Sequence, residues 1–297
     1  MTGFMALPAA IRAAIYMMGA VVSFTLMAIS GRAIDTGLDT FEIMTYRSLF
    51  GIIIVLGCGY GAGTLHQINA RQWRLHLVRN LFHFTGQNLW FYAILYIPLS
   101  QLFAFEFSTP LWVALMAPLV LAERLTMTRG LAAILGFVGI IMVARPDFSD
   151  LSPAIMAAAC CAVGFAGATT FTKLLTRTDS ITCILFWLTV LQAVFGLVCA
   201  GYDGDIAVPQ GAQIFWVILI GVCGLLAHFC ITRALQSAPA TVVQPLEFVR
   251  LPVVAFVGYL LYSEPLELAV FAGAAVILAA NILNLRAEVI STSRSGV

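Results

Sequence analysis

Two apolar segments of the chain, PLSQLFAFEFSTPLW at residues 98–112 and PATVVQPLEFVRLPV at residues 239–253, align without a gap. The shift of 141 residues between them places an acid on an acid and a proline on a proline, which chance does not produce in apolar sequence. The chain therefore contains an internal repeat. The matches at this shift include Phe24 with Phe165, Ala93 with Ala234, Pro98 with Pro239, Glu106 with Glu247, Phe107 with Phe248, Val113 with Val254, Glu123 with Glu264, Ala133 with Ala274 and Arg145 with Arg286.

The composition restricts the class of protein. Of 297 residues, 61% are hydrophobic and 10% are charged, whereas an average soluble domain carries about 25% charged residues. So few charges cannot cover a soluble surface, and we expect an integral membrane protein surrounded by membrane lipid. The net charge of +1 argues against a nucleic-acid partner.

Ten apolar runs are long enough to cross a hydrocarbon core as helices, which takes about 20 residues each. Each repeat contains five, an odd number, so the second repeat enters the membrane from the opposite side. The sequence predicts an all-α membrane protein of ten transmembrane helices in two inverted five-helix repeats, at 11–146 and 152–287, with a cytoplasmic tail at 288–297. The predicted spans are 13–31, 41–60, 75–97, 99–121, 128–144, 153–172, 181–200, 212–232, 240–262 and 266–285.

Basic residues predict the orientation, because they accumulate on the cytoplasmic side of membrane proteins. Only Arg32 and Arg145 flank the spans on one side, where Asp35, Asp39, Asp147, Asp150, Asp203, Asp205, Glu264 and Glu267 collect. The other side carries Arg12, Arg71, Arg74, Arg79, Arg124, Arg129, Lys173, Arg177, Arg233, Arg286 and Arg294. We expect this side, with both termini, to be cytoplasmic, and the membrane to be the inner membrane of a bacterium.

Four charged residues lie inside predicted spans, where an ionisable group is costly unless it is paired or hydrated. Glu106 and Glu247 each lie about 10 Å deep at 1.5 Å per residue. Arg47 has the depth of Glu106 and could pair with it, whereas Arg250 follows Glu247 by three residues and could pair locally. The position that matches Arg47 is Leu188. Charged residues at these positions are consistent with a structural ion pair and also with a binding site.

Prolines interrupt the two spans that carry the acids. Pro110 cannot donate a hydrogen bond to the carbonyl of Glu106, and Pro252 similarly frees the carbonyl of Phe248. Interrupted helices at corresponding positions of two inverted halves are typical of the binding site of a secondary transporter. Tolerated kinks are the structural alternative.

Span three carries a polar stripe at helical spacing: His76, Asn80, His83, Gln87 and Trp90. This face is predicted to line water or substrate, although a packed histidine is the alternative for His83. The repeat places His228 opposite Gln87, near the bilayer centre. The candidate substrate-binding residues are Arg47, His83, Gln87, Asn88, Trp90, Glu106, His228, Glu247 and Arg250.

The sequences LAERL at 121–125 and YSEPL at 262–266, with the prolines before spans four and nine, resemble the drug/metabolite transporter superfamily. The resemblance is to the EamA type, whose members have ten spans in two five-span repeats, and it covers nearly the whole chain. It implies a cavity between the halves, lined by spans including three, four, eight and nine. Members carry amino acids, nucleoside-like or vitamin-like metabolites, or drugs.

The leading hypothesis is a secondary transporter that moves a small polar or zwitterionic metabolite by alternating access. Arg47 would bind a carboxylate, and Glu106 would bind an amine or accept a coupling proton. Export of lipophilic cations or drugs is the alternative within transport. An intramembrane enzyme is disfavoured, because the chain shows no nucleophile-and-base motif and its seven cysteines have no metal-ligand spacing. Neither a cofactor nor a metal is expected, and the oligomeric state is not predicted.

Overall fold

The computed structural model describes residues 7–34, 37–97, 99–106, 108–122, 126–144, 152–202 and 204–262, with scattered helical positions from 268 to 286. Predicted span ten and the tail at 288–297 therefore lie wholly or largely outside the described residues. The following residues named above also lie outside them: Asp35, Pro98, Phe107, Glu123, Arg124, Arg145, Asp147, Asp150, Asp203, Glu264, Glu267, Ala274 and Arg294.

The described part of the chain is helical, and each helix is numbered by the span it forms. The helices are α1 (Ala9–Ala33), α2 (Thr40–Gly61), α3 (Trp73–Tyr96), α4a (Leu99–Glu106), α4b (Thr109–Val120), α5 (Met127–Ala144), α6 (Pro153–Leu175), α7 (Ile181–Ala200), α8 (Ala212–Ser237), α9a (Ala240–Val243) and α9b (Arg250–Tyr262), with a 3₁₀ segment at Gln244–Val249. The first nine predicted spans are thus present.

Among the described residues, six segments are long and apolar enough to cross a membrane: Ala9–Ala33, Thr40–Gly61, Pro153–Leu175, Ile181–Ala200, Ala212–Ser237 and Gln244–Leu261. Helix α3 is long enough to cross a membrane, but it is less apolar than these segments because its polar stripe lowers its mean hydropathy. Its polar residues are buried against protein, with His76 and Asn80 fully inaccessible. A polar helix can therefore occupy the bilayer here, since its neighbours shield it from lipid.

The three most extensive helix packings each join the two halves: α3 with α6, α1 with α8, and α2 with α7. At a shift of 141 residues, α1 corresponds to α6 and α3 corresponds to α8. The first two packings are therefore copies of each other, and the third pairs a helix with its own counterpart. This pattern is that of a pseudo-two-fold axis passing between α2 and α7.

Small residues allow α3 and α6 to approach closely. A Cβ atom built on Gly164 would lie 2.8 Å from the Cα of Gly86 and 2.9 Å from the carbonyl oxygen of Phe82. Both neighbours are backbone atoms, which cannot rotate away. This backbone contact positions the polar stripe of α3 against the second half.

The predicted interruptions of spans four and nine are present. α4a ends at Glu106 and α4b begins at Thr109, so the break lies beside the acid. The Thr109 hydroxyl donates to the carbonyl of Glu106 at 2.5 Å, which satisfies the acceptor that Pro110 cannot serve. In span nine, the 3₁₀ segment holds Glu247 between two α-helical pieces.

Replacing Gly164 with valine should lower the thermal stability of the purified protein, because the new side chain meets backbone on α3. Overpacking of this kind costs about 1–3 kcal/mol. The matched control is Gly57→Val in α2, where an added Cβ has no neighbour within 4 Å. Equal melting temperatures for the two variants in the same detergent would contradict the close approach of α3 and α6.

Candidate functional site

A cavity of about 50 Å³ lies between the two halves, with room for a few water molecules. It is formed by α1, α3, α4a, α6, α8 and span nine. Its lining residues are Phe24, Met27, Arg79, His83, Gln87, Trp90, Glu106, Phe165, Ala168, Thr169, Thr172, His228, Ile231, Gln244, Glu247 and Arg250. We call this space the central cavity.

The lining of the central cavity is built from repeat counterparts. Five pairs of positions related by the 141-residue shift face the same space: Phe24 with Phe165, Met27 with Ala168, Gln87 with His228, Trp90 with Ile231, and Glu106 with Glu247. Counterparts can meet in one cavity only where the pseudo-two-fold axis runs through it. The central cavity therefore lies on the axis that relates the two halves.

Glu106 forms a buried ion pair with Arg250, across the boundary between the halves. The indole nitrogen of Trp90 donates to the other carboxylate oxygen of Glu106 at 2.6 Å. The Arg250 guanidinium lies between the rings of Phe24 and Phe103, 5.0 and 5.1 Å from their centroids. Hydrogen bonds and cation–π contacts thus compensate both charges for their removal from water.

The predicted pairing of Arg47 with Glu106 is wrong. Arg47 lies outside the central cavity, and its Nη1 atom is 3.9 Å from the sulfur of Met27. The local pairing of Arg250 with Glu247 was also predicted, but the structure shows Arg250 paired with Glu106, while Glu247 lines the same cavity. Sequence spacing favoured a local partner, whereas packing brings α4a against span nine.

The α3 stripe supplies the polar wall of the central cavity. His83 and Gln87 are both 2% exposed, and neither ring nitrogen of His83 nor the Nε2 atom of Gln87 has a hydrogen-bond partner among the described residues. The His83 and His228 rings are in edge contact, with centroids 4.5 Å apart. These buried polar groups are available to a ligand.

Arg79 also lines this wall, although the sequence predicts it among the basic residues that flank the spans. Its Nε donates to the Thr172 hydroxyl at 3.0 Å and its Nη1 to the Asn80 side-chain oxygen at 3.1 Å, so both partners are neutral. Helical spacing in the sequence indicates this position, because Arg79 lies four residues before His83 and therefore on the same helical face.

Asn88 does not line the central cavity. Its side-chain nitrogen donates to the carbonyl of Phe84 at 2.8 Å, within its own helix. The structure therefore brings seven of the nine candidate residues together at the central cavity and places two, Arg47 and Asn88, elsewhere.

Contacts also join the two halves towards both faces of the molecule. On the face where the N-terminus lies, which we call the near face, His76 contacts Asp179 at 2.8 Å and Trp187 donates to the carbonyl of Asn69 at 2.7 Å. On the far face, the Glu42 carboxylate accepts from the backbone of Ala207 at 2.5 Å.

The near-face contact also assembles three metal-ligating residue types. Ligand atoms of His76, Asp179 and Cys183 lie within 4.8 Å of one another, and all three residues are buried. Sequence spacing did not reveal this group, because its members come from different halves. The His76 and Asp179 side chains satisfy each other by hydrogen bonding, and His76 stacks on Trp187 with centroids 5.8 Å apart. Packing and hydrogen bonding account for this arrangement.

Apolar helices in two related halves, with a buried polar cavity on the axis between them, define an integral membrane protein of the transporter class. Residues 11–145 and 152–286 each match the EamA-like transporter family, and the chain belongs to that family.

Relatives align over nearly the full length of the chain. It is 25% identical over 273 residues to an S-adenosylmethionine uptake transporter of Rickettsia felis, covering 92% of each protein. It is 27% identical over 273 residues to a riboflavin transporter of Vibrio cholerae, covering 90% of this chain and 91% of that protein. A crystal structure with a TM-score of 0.75 and 15% identity covers 92% of this chain and shares its fold. The relatives are named as small-molecule transporters rather than enzymes.

Glu106→Gln should destabilise the protein by about 3–5 kcal/mol, because Arg250 then loses its buried ion-pair partner. Arg250→Gln should destabilise the protein in the same way, because Glu106 then loses its ion-pair partner. The double variant should lose much less stability than the sum of the two single losses, because it removes both members of the ion pair together. Thermal unfolding of all four proteins in one detergent measures the coupling. Strict additivity would contradict the pair as a stabilising interaction.

Proposed function

We propose that the protein is a secondary transporter that moves a small polar or zwitterionic metabolite, amino-acid-like or nucleoside- or vitamin-like, by alternating access. The observation that carries the proposal is the central cavity itself, in which counterparts from both repeats face one buried polar space. Such a cavity can open to one side in one arrangement of the halves and to the other side in the reverse arrangement.

Two walls of different chemistry support a zwitterionic ligand. One wall carries Arg79, whose described partners are neutral, beside His83. The other wall carries Glu106 and Glu247 with Arg250. A ligand carboxylate fits Arg79, and a ligand amine or hydroxyl fits Glu247, because Glu106 already has two partners.

Aromatic side chains support a ligand with a planar ring. Trp90, Phe24 and Phe165 line the central cavity, and aromatic rings bind other rings by offset or edge contacts. The named substrates of the relatives, S-adenosylmethionine and riboflavin, both contain heteroaromatic rings. The lining holds two arginines and two glutamates, a balance of charge that suits a zwitterion better than the alternative, a lipophilic cation.

The small volume of the central cavity fits a transport cycle in which the cavity must enlarge to bind substrate. A volume of about 50 Å³ is far below that of ligand pockets, which run to about 300–1,000 Å³. Substrate binding therefore requires the contacts at one face to part, either His76 with Asp179 or Glu42 with Ala207. We further propose that the near face is cytoplasmic and the membrane is a bacterial inner membrane, because the predicted near-face flanks carry most of the basic residues.

Arg79→Gln should reduce transport at least tenfold, because it removes the charge assigned to the ligand carboxylate. The matched control is Arg74→Gln, one turn earlier in α3, where the side chain is exposed. A thermal-shift screen of amino acids, nucleosides and vitamins, including riboflavin and S-adenosylmethionine, selects the ligand. Uptake into proteoliposomes then compares the variants. Stabilisation by lipophilic cations alone would contradict the substrate class, and equal uptake by both variants would contradict the role of Arg79.

Glu247→Gln should abolish accumulation driven by a proton gradient while leaving exchange of labelled for unlabelled substrate largely intact. We assign the coupling proton to Glu247, which lines the central cavity. Glutamine keeps an oxygen that still accepts a hydrogen bond from a ligand amine or hydroxyl, but it cannot titrate. Counterflow and gradient-driven uptake in the same proteoliposomes separate these activities. Undiminished accumulation in the variant would exclude Glu247 as the coupling group.

A further inference from the structure

A second, smaller cavity of about 20 Å³ lies between α2, α7 and α8. It shares His228 with the central cavity and is otherwise built from different residues. Its lining consists of Arg47, Ser48, Gly51, Leu188, Thr189, Gln192, Gly221, Gly224, Leu225 and His228. We call it the Arg47 cavity.

Arg47 is buried there, with 6% of its surface exposed. Within the described residues, no carboxylate lies within 4 Å of its guanidinium, and the hydrogen-bond partner found for it is the weakly accepting sulfur of Met27 at 3.9 Å. A buried guanidinium without a counter-charge is strongly destabilising. Arg250, at comparable burial, has Glu106 and two aromatic rings. A bound anion would therefore stabilise the buried charge of Arg47.

The other polar groups of the cavity do not balance this charge. The Ser48 hydroxyl donates to the carbonyl of Met44 at 2.6 Å, and the Thr189 hydroxyl donates to carbonyls of its own helix. Gln192 donates to Asn80 at 3.0 Å. The described lining of the Arg47 cavity offers no carboxylate, so none of its residues supplies a counter-charge for Arg47.

Repeat symmetry explains why the charge is unbalanced. Three pairs of counterparts line the Arg47 cavity: Arg47 with Leu188, Ser48 with Thr189, and Gly51 with Gln192. The cavity therefore lies on the pseudo-two-fold axis, where the second repeat offers Leu188 in place of an ionisable group. In the described part of the second repeat, no carboxylate lies within 4 Å of the Arg47 guanidinium.

The space beside the guanidinium exists because α8 carries glycine there. A Cβ atom built on Gly224 would lie 3.7 Å from Nη1 of Arg47 and 3.6 Å from the sulfur of Met27. The cavity volume holds one or two water-sized particles, which suits a single small anion and is too small for a metabolite.

We propose that the Arg47 cavity binds a halide-sized monovalent anion, chloride under physiological conditions, which neutralises Arg47 independently of the transported substrate. The anion accepts hydrogen bonds from the guanidinium and fills the space beside Gly224. This site is distinct from the central cavity, so it can be tested without knowing the substrate.

The test measures the melting temperature of the purified protein in sodium gluconate, with chloride replacing gluconate at constant ionic strength. Chloride should raise the melting temperature saturably, by about 2–6 °C. Arg47→Leu should abolish the shift while remaining folded, because leucine already occupies the counterpart position in the same cavity. Gly224→Ala should also abolish it, because the methyl group fills the space while the arginine remains.

Gly57→Ala, on the exposed side of α2, is the matched control and should keep the chloride response. Sodium acetate in place of chloride distinguishes a halide from a carboxylate. An acetate shift that is larger than the chloride shift and lost in Arg47→Leu would assign the site to a substrate carboxylate and overturn the halide proposal. A chloride shift that is absent in the wild type, or equal in Arg47→Leu, would also overturn it and would favour a bridging water between Arg47 and Gln192.

Discussion

The ion pair between Glu106 and Arg250 is the constraint around which the rest of the interior is arranged. Both groups lie in the low-dielectric core of a membrane protein, where either charge alone would be strongly unfavourable. Their pairing therefore holds the broken span four of one half against the broken span nine of the other. The break beside Glu106, sealed by the Thr109 hydroxyl, brings the carboxylate to this position without leaving a carbonyl unsatisfied.

Much of the architecture was predictable from the sequence, because it depends on local composition and on periodic spacing. The 141-residue repeat, the first nine spans and the proline interruptions depend on composition and spacing along the chain. The seven candidate residues that meet in the central cavity were found in the same way, since depth in the bilayer follows from position in a span. The clustering of repeat counterparts there is the structural consequence of the repeat.

The ion-pair partners were not predictable, because they depend on how helices rotate and pack. Arg47 and Glu106 have similar depths but belong to different cavities, whereas Arg250 reaches Glu106 from the opposite half. Arg79 was assigned to the membrane flank because it lies near the start of its helix. The structure buries it, since α6 covers that end of α3 and offers the Thr172 hydroxyl as a partner.

The facing of Arg47 and Leu188 across the pseudo-two-fold axis bears on how a duplicated membrane protein can diverge. Immediately after duplication, identical repeats place identical residues opposite each other on such an axis, so an arginine there would face a second arginine in a dry space. Like charges cannot remain together in that setting, and one copy must become apolar. Glu106 and Glu247 escape this restriction because Arg250 occupies the position of Thr109 in the other repeat. These differences leave the two halves alike in fold but unlike in charge at the axis that relates them.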